Sequence, residues 1–275
     1  MKKRSTKEIK LQAKKALQGH VGTVLLGLLA VYGLNMLGTI LSTNLFSGTS
    51  PLDLVLSEVF MLVVSLIVGI ISAGFGYMLL NISRGKEFSL GDLGYFFKNQ
   101  PDRVIIAGFV LAVIQIVTAI PYYYVSFTTD PGLTVDSQIK WLSMTLGLLA
   151  VSTLLNFLIS LPFAMTYFLM ADDTELGGLQ ALKESARLMK GNLWRYVKLN
   201  LSFVPLLLLS VFTFYIALFW IMPYMEMSMV AFYRDLDGEL DYRLPGDGTA
   251  DGGFHNWTND SGNGYDTENN DGYRN

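Results

Sequence analysis

The chain has 275 residues, of which 51% are hydrophobic and only 16% are charged, against roughly 25% charged in an average globular protein. So few charges cannot cover the surface of a soluble protein of this length, and the mean hydropathy is positive, at +0.39. The absence of cysteine excludes disulfides and thiolate metal sites, and two histidines leave little material for imidazole chemistry.

The apolar stretches, taken in chain order, predict an all-α, polytopic membrane helical bundle. A helix needs about 20 apolar residues to cross a hydrocarbon core of about 30 Å. We predict six transmembrane helices, near residues 21–41, 59–80, 104–124, 142–170, 197–213 and 216–233. Pro162 predicts a kink in the fourth, and we expect a break near Thr213-Phe214 between the last two. Five helices are the alternative, because the last apolar region is long for one helix and short for two.

The charges divide the chain into three regions. Residues 1–20 are predicted to form a cytoplasmic basic amphipathic helix, 21–233 the transmembrane domain, and 234–275 an acidic disordered tail. The tail contains the alternating acidic cluster Asp235, Asp237, Glu239 and Asp241. This cluster lacks the glycine position and the bidentate glutamate of a calcium loop, so we interpret it as solvated.

An amphipathic segment precedes each pair of predicted spans. The first opens with a capping box, Ser5 and Glu8, and a weaker copy opens with Ser89 and Asp92. The third begins near Thr174, and glycine or asparagine ends each segment, at positions 19, 99 and 191. The basic residues of the first and third segments are Lys7, Lys10, Lys14, Lys15, Lys183, Arg187 and Lys190. We expect these side chains either to contact anionic inner-leaflet lipids or only to set the topology.

Lys and Arg occur in alternate loops of the predicted topology, which indicates which side each loop occupies. The N-terminus, the loop at 81–103 and the segment at 172–198 are basic, whereas the loops at 42–58 and 125–140 hold a single lysine between them. The positive-inside rule therefore predicts a multi-pass protein of the cytoplasmic membrane with a cytoplasmic N-terminus. Six spans place the acidic tail in the cytoplasm, and five place it outside.

The sequence contains no nucleotide-binding glycine loop, metalloprotease helix or nucleophile elbow, so we expect no enzyme activity, no cofactor and no nucleic-acid partner. Polar residues within apolar stretches are the remaining candidates for a site: Glu226, Asn156 and Asn200. The glycines of the first two spans, including Gly27, Gly33 and Gly74, predict close helix packing.

Three patches of the sequence resemble a known family. They consist of Arg4, Ile9-Lys10, Ala13, Leu17 and Gly19, then Ala181-Leu182, Ser185, Met189-Lys190-Gly191-Asn192 and Trp194, then Pro223-Tyr224 and Ala231-Phe232-Tyr233. In these patches the chain resembles an integral membrane protein family of Gram-positive bacteria, known as domain of unknown function 975. His20 and the stretch Thr213–Trp220 depart from the family pattern. The resemblance implies a bacterial multi-span membrane protein and implies no activity.

Two functional hypotheses follow. The first is a non-enzymatic scaffold or accessory factor of the cytoplasmic membrane, acting through its bundle and its basic helices. The second is a small transporter or permease in which three hairpin units surround a polar cavity near Glu226, Asn156 and Asn200.

Overall fold

The computed structural model describes residues 3–47 and 50–242, and these form helices joined by short turns, with no β-strand among them. The helices are α1 (Thr6–Leu17), α2 (Val21–Leu45), α3 (Pro51–Arg84), α4 (Tyr95–Lys98), α5 (Pro101–Thr128), α6 (Val135–Ser160), α7 (Thr166–Asp172), α8 (Gly178–Met189), α9 (Leu193–Leu201), α10 (Val204–Phe212), α11 (Leu218–Leu236) and α12 (Glu239–Tyr242). Two short 3-10 turns, Leu90–Gly94 and Leu161–Phe163, complete the described part of the chain.

Within the described residues, five helical stretches are long and apolar enough to cross a membrane. They are Val21–Leu45, Leu52–Arg84, Pro101–Ser126, Val135–Asp172 and Leu193–Phe212. Large hydrophobic side chains are exposed along α2, α3, α5 and α6, as expected of helices that face lipid rather than water. The all-α, polytopic membrane fold is therefore confirmed. The sixth predicted span lies in α11, which is not one of these five stretches.

Several local sequence signals begin and end the helices where the sequence predicts. The third amphipathic segment begins later than predicted, since α8 starts at Gly178 rather than near Thr174, and the Ser89 capping box opens a short 3-10 turn. The Ser5 side chain accepts a hydrogen bond from the Glu8 amide, and the Glu8 carboxylate accepts one from the Ser5 amide, which completes the capping box of α1. Gly19 and Gly191 follow α1 and α8 with φ of 82° and 77°, a left-handed conformation that glycine adopts without strain. At Pro162 the fourth apolar stretch changes from α6 through a 3-10 turn into α7.

The buried core lies at one end of the bundle. In α3 the buried residues fall between Val68 and Ile82, whereas residues from Leu52 to Ile67 are exposed or half-buried. A helix of 34 residues is about 51 Å long, well beyond the hydrocarbon thickness of about 30 Å. The C-terminal end of α3 therefore extends into a layer where α1, α7 and α11 pack around it. We call this layer the packed end.

The predicted boundary of the acidic tail at residue 234 is wrong. Helix α11 continues to Leu236, and α12 follows, so residues 234–242 belong to the packed end. Arg234 and Asp235 are buried there, because arginines and carboxylates from distant parts of the chain neutralise one another. The rest of the predicted tail, residues 243–275, lies outside the described residues.

Glycine allows two close approaches between helices. A Cβ at Gly74 would lie 2.3 Å from the carbonyl oxygen of Leu93, so α3 touches the backbone of the following 3-10 turn. A Cβ at Gly27 would lie 2.6 Å from the ring of Phe75, which brings α2 against α3. The packing predicted for these two glycines is confirmed. The expectation for Gly33 is wrong, since a Cβ there meets nothing within 4 Å.

We predict that Gly74→Ala destabilises the fold, because the added methyl group meets a backbone carbonyl that cannot rotate away. Overpacking of this kind costs about 1–3 kcal/mol. The measurement is the thermal unfolding midpoint of the purified protein in detergent, with Gly33→Ala as the matched control. We expect the midpoint of the control to stay unchanged or rise slightly, since alanine is the better helix former. Equal midpoints for the two variants would contradict the close approach.

Candidate functional site

Four arginines and four carboxylates form a network at the packed end, which we call the arginine cluster. Its members are Arg4, Arg84, Arg195, Arg234, Asp172, Asp235, Glu239 and Asp241. They come from the segment before α1 and from α3, α7, α9, α11 and α12. The cluster therefore joins residues from both ends of the described chain.

Asp235 occupies the most buried position in the cluster, with 1% of its side chain exposed. One carboxylate oxygen accepts from Arg4 Nη1 at 3.1 Å, and the other accepts from Arg195 Nη2 at 2.5 Å. Arg195 also donates to the carbonyl of Arg4 at 2.9 Å, so the three residues are bonded to one another. A carboxylate this far from solvent is stable only with such partners.

The second half of the cluster is centred on Arg84, at the end of α3. Its guanidinium binds both oxygens of Asp172 and, through Nε and Nη2, Oε2 of Glu239. Arg234 binds the other oxygen of Glu239 at 2.8 Å and the carbonyl of Ser83 at 2.6 Å. Burial by itself would raise the pKa of Glu239, but hydrogen bonds from Arg84 and Arg234 outweigh burial and lower it.

The sequence did not identify this cluster as a site. The sequence-based interpretation of Asp235, Glu239 and Asp241 as solvated tail residues is wrong, because each of them binds at least one arginine. Arg84 and Asp172 lie at the ends of apolar helices, where a charge is ordinarily assigned to the membrane surface. The one available signal was the position of Arg4 and of Ala231-Phe232-Tyr233 within the family-like patches.

The predicted basic residues are of two kinds. Those with exposed side chains on α1 and α8 are Lys7, Lys14, Lys15, Lys183, Arg187 and Lys190, and Arg187 also pairs with Glu184 at 2.6 Å. Lys10 is half-buried: its Nζ donates to the carbonyl of Ser202 at 2.9 Å and lies 3.8 Å from the centre of the Phe203 ring. Burial lowers the pKa of Lys10.

Glu226 and Asn200 lie in the same neighbourhood, around Tyr196. The Asn200 amide donates to the Tyr196 carbonyl at 2.9 Å, and Glu226 is close enough to the Tyr196 and Tyr32 phenols for direct electrostatic interaction. Burial raises the pKa of Glu226, which lies outside the five apolar stretches, to about 7.

Asn156 lies elsewhere in the bundle. It donates to Thr118 Oγ1 at 3.2 Å and so links α6 to α5. An amide in this position holds two helices together, which is the common use of asparagine inside a membrane. The structure therefore brings two of the three predicted polar residues together and leaves the third at a helix contact.

The surface of the described part of the chain includes a groove on α6 and a groove beside α1. One, of about 610 Å³, runs along α6 between Leu146 and Phe157, and the other, of about 490 Å³, lies between α1 and Tyr224. None of Glu226, Asn156 or Asn200 lines either groove.

Lipid-facing apolar helices and a charged network confined to one end together define a multi-pass helical membrane protein. The chain belongs to the family described as protein of unknown function DUF975, whose model matches residues 1–239. No curated protein and no solved structure matches the chain. The family match ends within α12, so it includes most of the arginine cluster.

We predict that Asp235→Asn strongly destabilises the protein, because it leaves Arg4 and Arg195 without their shared buried carboxylate. Breaking a buried ion pair costs about 3–5 kcal/mol. Thermal unfolding in detergent measures the loss. Glu184→Gln is the control, since it breaks the exposed Arg187 pair, which contributes only about 0–1 kcal/mol. A similar small change in both variants would show that the cluster contributes little to stability.

A second prediction concerns pH and Glu226. The folded protein raises the pKa of this carboxyl from 4.5 to about 7, so between these values the folded state holds more protons than the unfolded state. The contribution of Glu226 to stability must then fall as pH rises through this window. Glu226→Gln should remove that loss of stability. We therefore expect the difference in unfolding midpoint, variant minus wild type, to become more positive as pH rises from about 5 to about 8. A difference that stays constant across this range would contradict the burial of Glu226.

Proposed function

We propose that the protein is a non-enzymatic scaffold or accessory factor of the bacterial cytoplasmic membrane. In this proposal the packed end lies in the cytoplasm, and its working surface is the exposed basic face of α1 and α8. One observation supports the proposal: the exposed lysines and arginine of α1 and α8 lie on helices whose opposite face is buried in the protein core. Ile9 and Ala13 of α1, and Ala181 and Met189 of α8, are buried.

The two basic helices meet at one place. Lys3, just before α1, donates to the carbonyl of Gly191, just after α8, at 3.4 Å. Arg195 of α9 donates to the carbonyl of Arg4. The start of α1 and the end of α8 therefore lie side by side.

Anionic phospholipid headgroups of the inner leaflet are the partner that this surface fits best. Each lysine or arginine near such a surface contributes about 1 kcal/mol. Since the apolar faces of α1 and α8 pack against protein, the attraction is mainly electrostatic and involves no deep insertion of these helices. The side chains of Lys86 and of Lys98, the last residue of α4, are exposed too, but they lie outside α1 and α8.

The transporter alternative has less support. It requires Glu226, Asn156 and Asn200 to surround one cavity, whereas Asn156 is engaged with Thr118 and no member of the set lines either groove. The observation in its favour is the partly buried carboxylate of Glu226, which interacts with two phenols. A substrate-induced shift in the unfolding midpoint that Glu226→Gln abolishes would favour transport over the scaffold function.

We predict that replacing Lys7, Lys14 and Lys15 together with glutamine reduces the phosphatidylglycerol retained after detergent extraction. The retained lipid is extracted and quantified by mass spectrometry, relative to phosphatidylethanolamine. Retention by the wild type should also fall as salt rises, because exposed charges are screened.

The matched control replaces Lys86, Lys98 and Lys140 with glutamine and so removes the same number of charges away from α1 and α8. We expect this control to keep the phosphatidylglycerol ratio of the wild type. Equal loss in both triple variants, or no loss in either, would refute a specific basic surface on α1.

A further inference from the structure

The segment from Ser202 to Tyr224 contacts the same residue of α1, Lys10, at both of its ends. Lys10 Nζ donates to the carbonyl of Ser202, and the Tyr224 hydroxyl donates to the carbonyl of Lys10 at 3.3 Å. The rings of Phe203 and Tyr224 touch edge to face, with centroids 5.3 Å apart. The two ends of this segment therefore lie side by side at the level of Lys10.

Both ends of helix α1 lie near the C-terminal end of α3. At its start, Arg4 binds Asp235, and the adjacent Arg234 binds Ser83 near the end of α3. Just beyond its other end, His20 packs against Phe88, which follows α3, with ring centroids 5.0 Å apart. Exposed lysines in α1 need water or headgroups, since a charge in hydrocarbon is costly. The level of Lys10 is thus outside the hydrocarbon core.

The segment is too short to cross the membrane from that level. Helix α10 has nine residues and is therefore about 14 Å long, less than half of a hydrocarbon core of about 30 Å. The stretch Leu193–Phe212 has the length of a span only if α9 is counted with α10. The break at Ser202-Phe203 and the contacts of that break with Lys10 place α9 beside α1 instead.

The tip of the segment has the properties of a surface in contact with lipid tails. No charged residue occurs in 199–225. Phe212 and Phe214 are 83% and 88% exposed, and Ile216 and Trp220 are also more than half exposed. Water would leave this apolar tip unfavourably solvated, whereas acyl chains would cover it.

The backbone N–H groups of the turn at the tip are also satisfied within the segment. Every backbone N–H from Thr213 to Ile221 donates to a carbonyl within the segment or, at Ala217, to the Thr213 hydroxyl. Phe214 and Tyr215 adopt left-handed φ values of 49° and 64° to make this turn. A bilayer interior demands that backbone donors be satisfied internally.

We propose that residues 204–222 form a re-entrant hairpin, which enters the bilayer from the side of α1 and returns to that side. Its aromatic tip is covered by the acyl chains of that one leaflet. The chain then crosses the membrane four times, through α2, α3, α5 and α6. The N-terminus and Tyr242 consequently lie on the same side.

Single cysteines test this topology without background, because the chain has none of its own. Phe214→Cys reports on the tip, Lys7→Cys on the side of α1, and Leu133→Cys on the opposite side, all at exposed positions. The full-length protein is reconstituted in liposomes and treated with a membrane-impermeant maleimide, from outside only and then from both sides. We expect Lys7→Cys and Leu133→Cys to react from opposite sides, and Phe214→Cys to react from neither until the protein is denatured in detergent.

A nitroxide attached to the same cysteine locates the tip within the bilayer. We expect it to be accessible to oxygen dissolved in the lipid and protected from a water-soluble nickel chelate, at a depth in the leaflet next to Lys7. Phe212→Cys, also exposed, serves as a second tip position if Phe214→Cys fails to fold.

Each other outcome overturns the proposal. Maleimide labelling from the side of Leu133 would mean that the hairpin crosses the membrane, and labelling from the side of Lys7 would mean that the tip is in water. Protection from both oxygen and the nickel chelate would mean that a second copy or another protein covers the tip.

Discussion

The burial of Asp235 between two arginines is the constraint on which the packed end depends. This carboxylate has 1% of its side chain exposed and contacts Arg4 and Arg195, which belong to the segment before α1 and to α9. Removing an ion from water costs several kcal/mol unless its partners are in place. The fold therefore has to bring α1, α9 and α11 together for any of the three charges to be buried. The neighbouring pairs of Arg84 and Arg234 extend the same requirement to α3, α7 and α12.

The two ends of the bundle are held together by different forces. Within lipid there is little hydrophobic attraction between helices, and close contacts of small or polar groups take its place. Gly38 against Val64, and the hydroxyls of Ser42 and Ser57 at 2.8 Å, are contacts of this kind between α2 and α3. At the packed end, buried apolar side chains and ion pairs act together, as in a soluble protein. Among the described residues, most of the ion pairs lie at this end.

Signals that act over a few residues could be predicted from the sequence. The capping box at Ser5, the glycine stops and the break at Pro162 depend on neighbours within one or two turns. The arginine cluster could not be predicted in this way, because the partners of Asp235 are distant in sequence. Arg4 is separated from it by 231 positions and Arg195 by 40. Without those partners, alternating acids followed by a glycine-rich stretch have the composition of a solvated tail. The contacts of the candidate polar residues could not be predicted either. The sequence places Asn156 and Glu226 in apolar stretches, but it does not show which helices pack against each other.

Lys10 shows why the basic residues of α1 are not equivalent. Lys7, Lys10 and Lys14 follow one another at helical spacing, so the sequence assigns all three to one polar face. Only Lys10 reaches the Ser202 carbonyl and the Phe203 ring, and it gives up part of its hydration to do so. Its neighbours Lys7 and Lys14 keep exposed side chains, while Lys10 joins α1 to the residues at which the proposed hairpin begins. Helix α1 is thus bonded to Ser202 through Lys10, and the residue just before the helix, Arg4, binds Asp235.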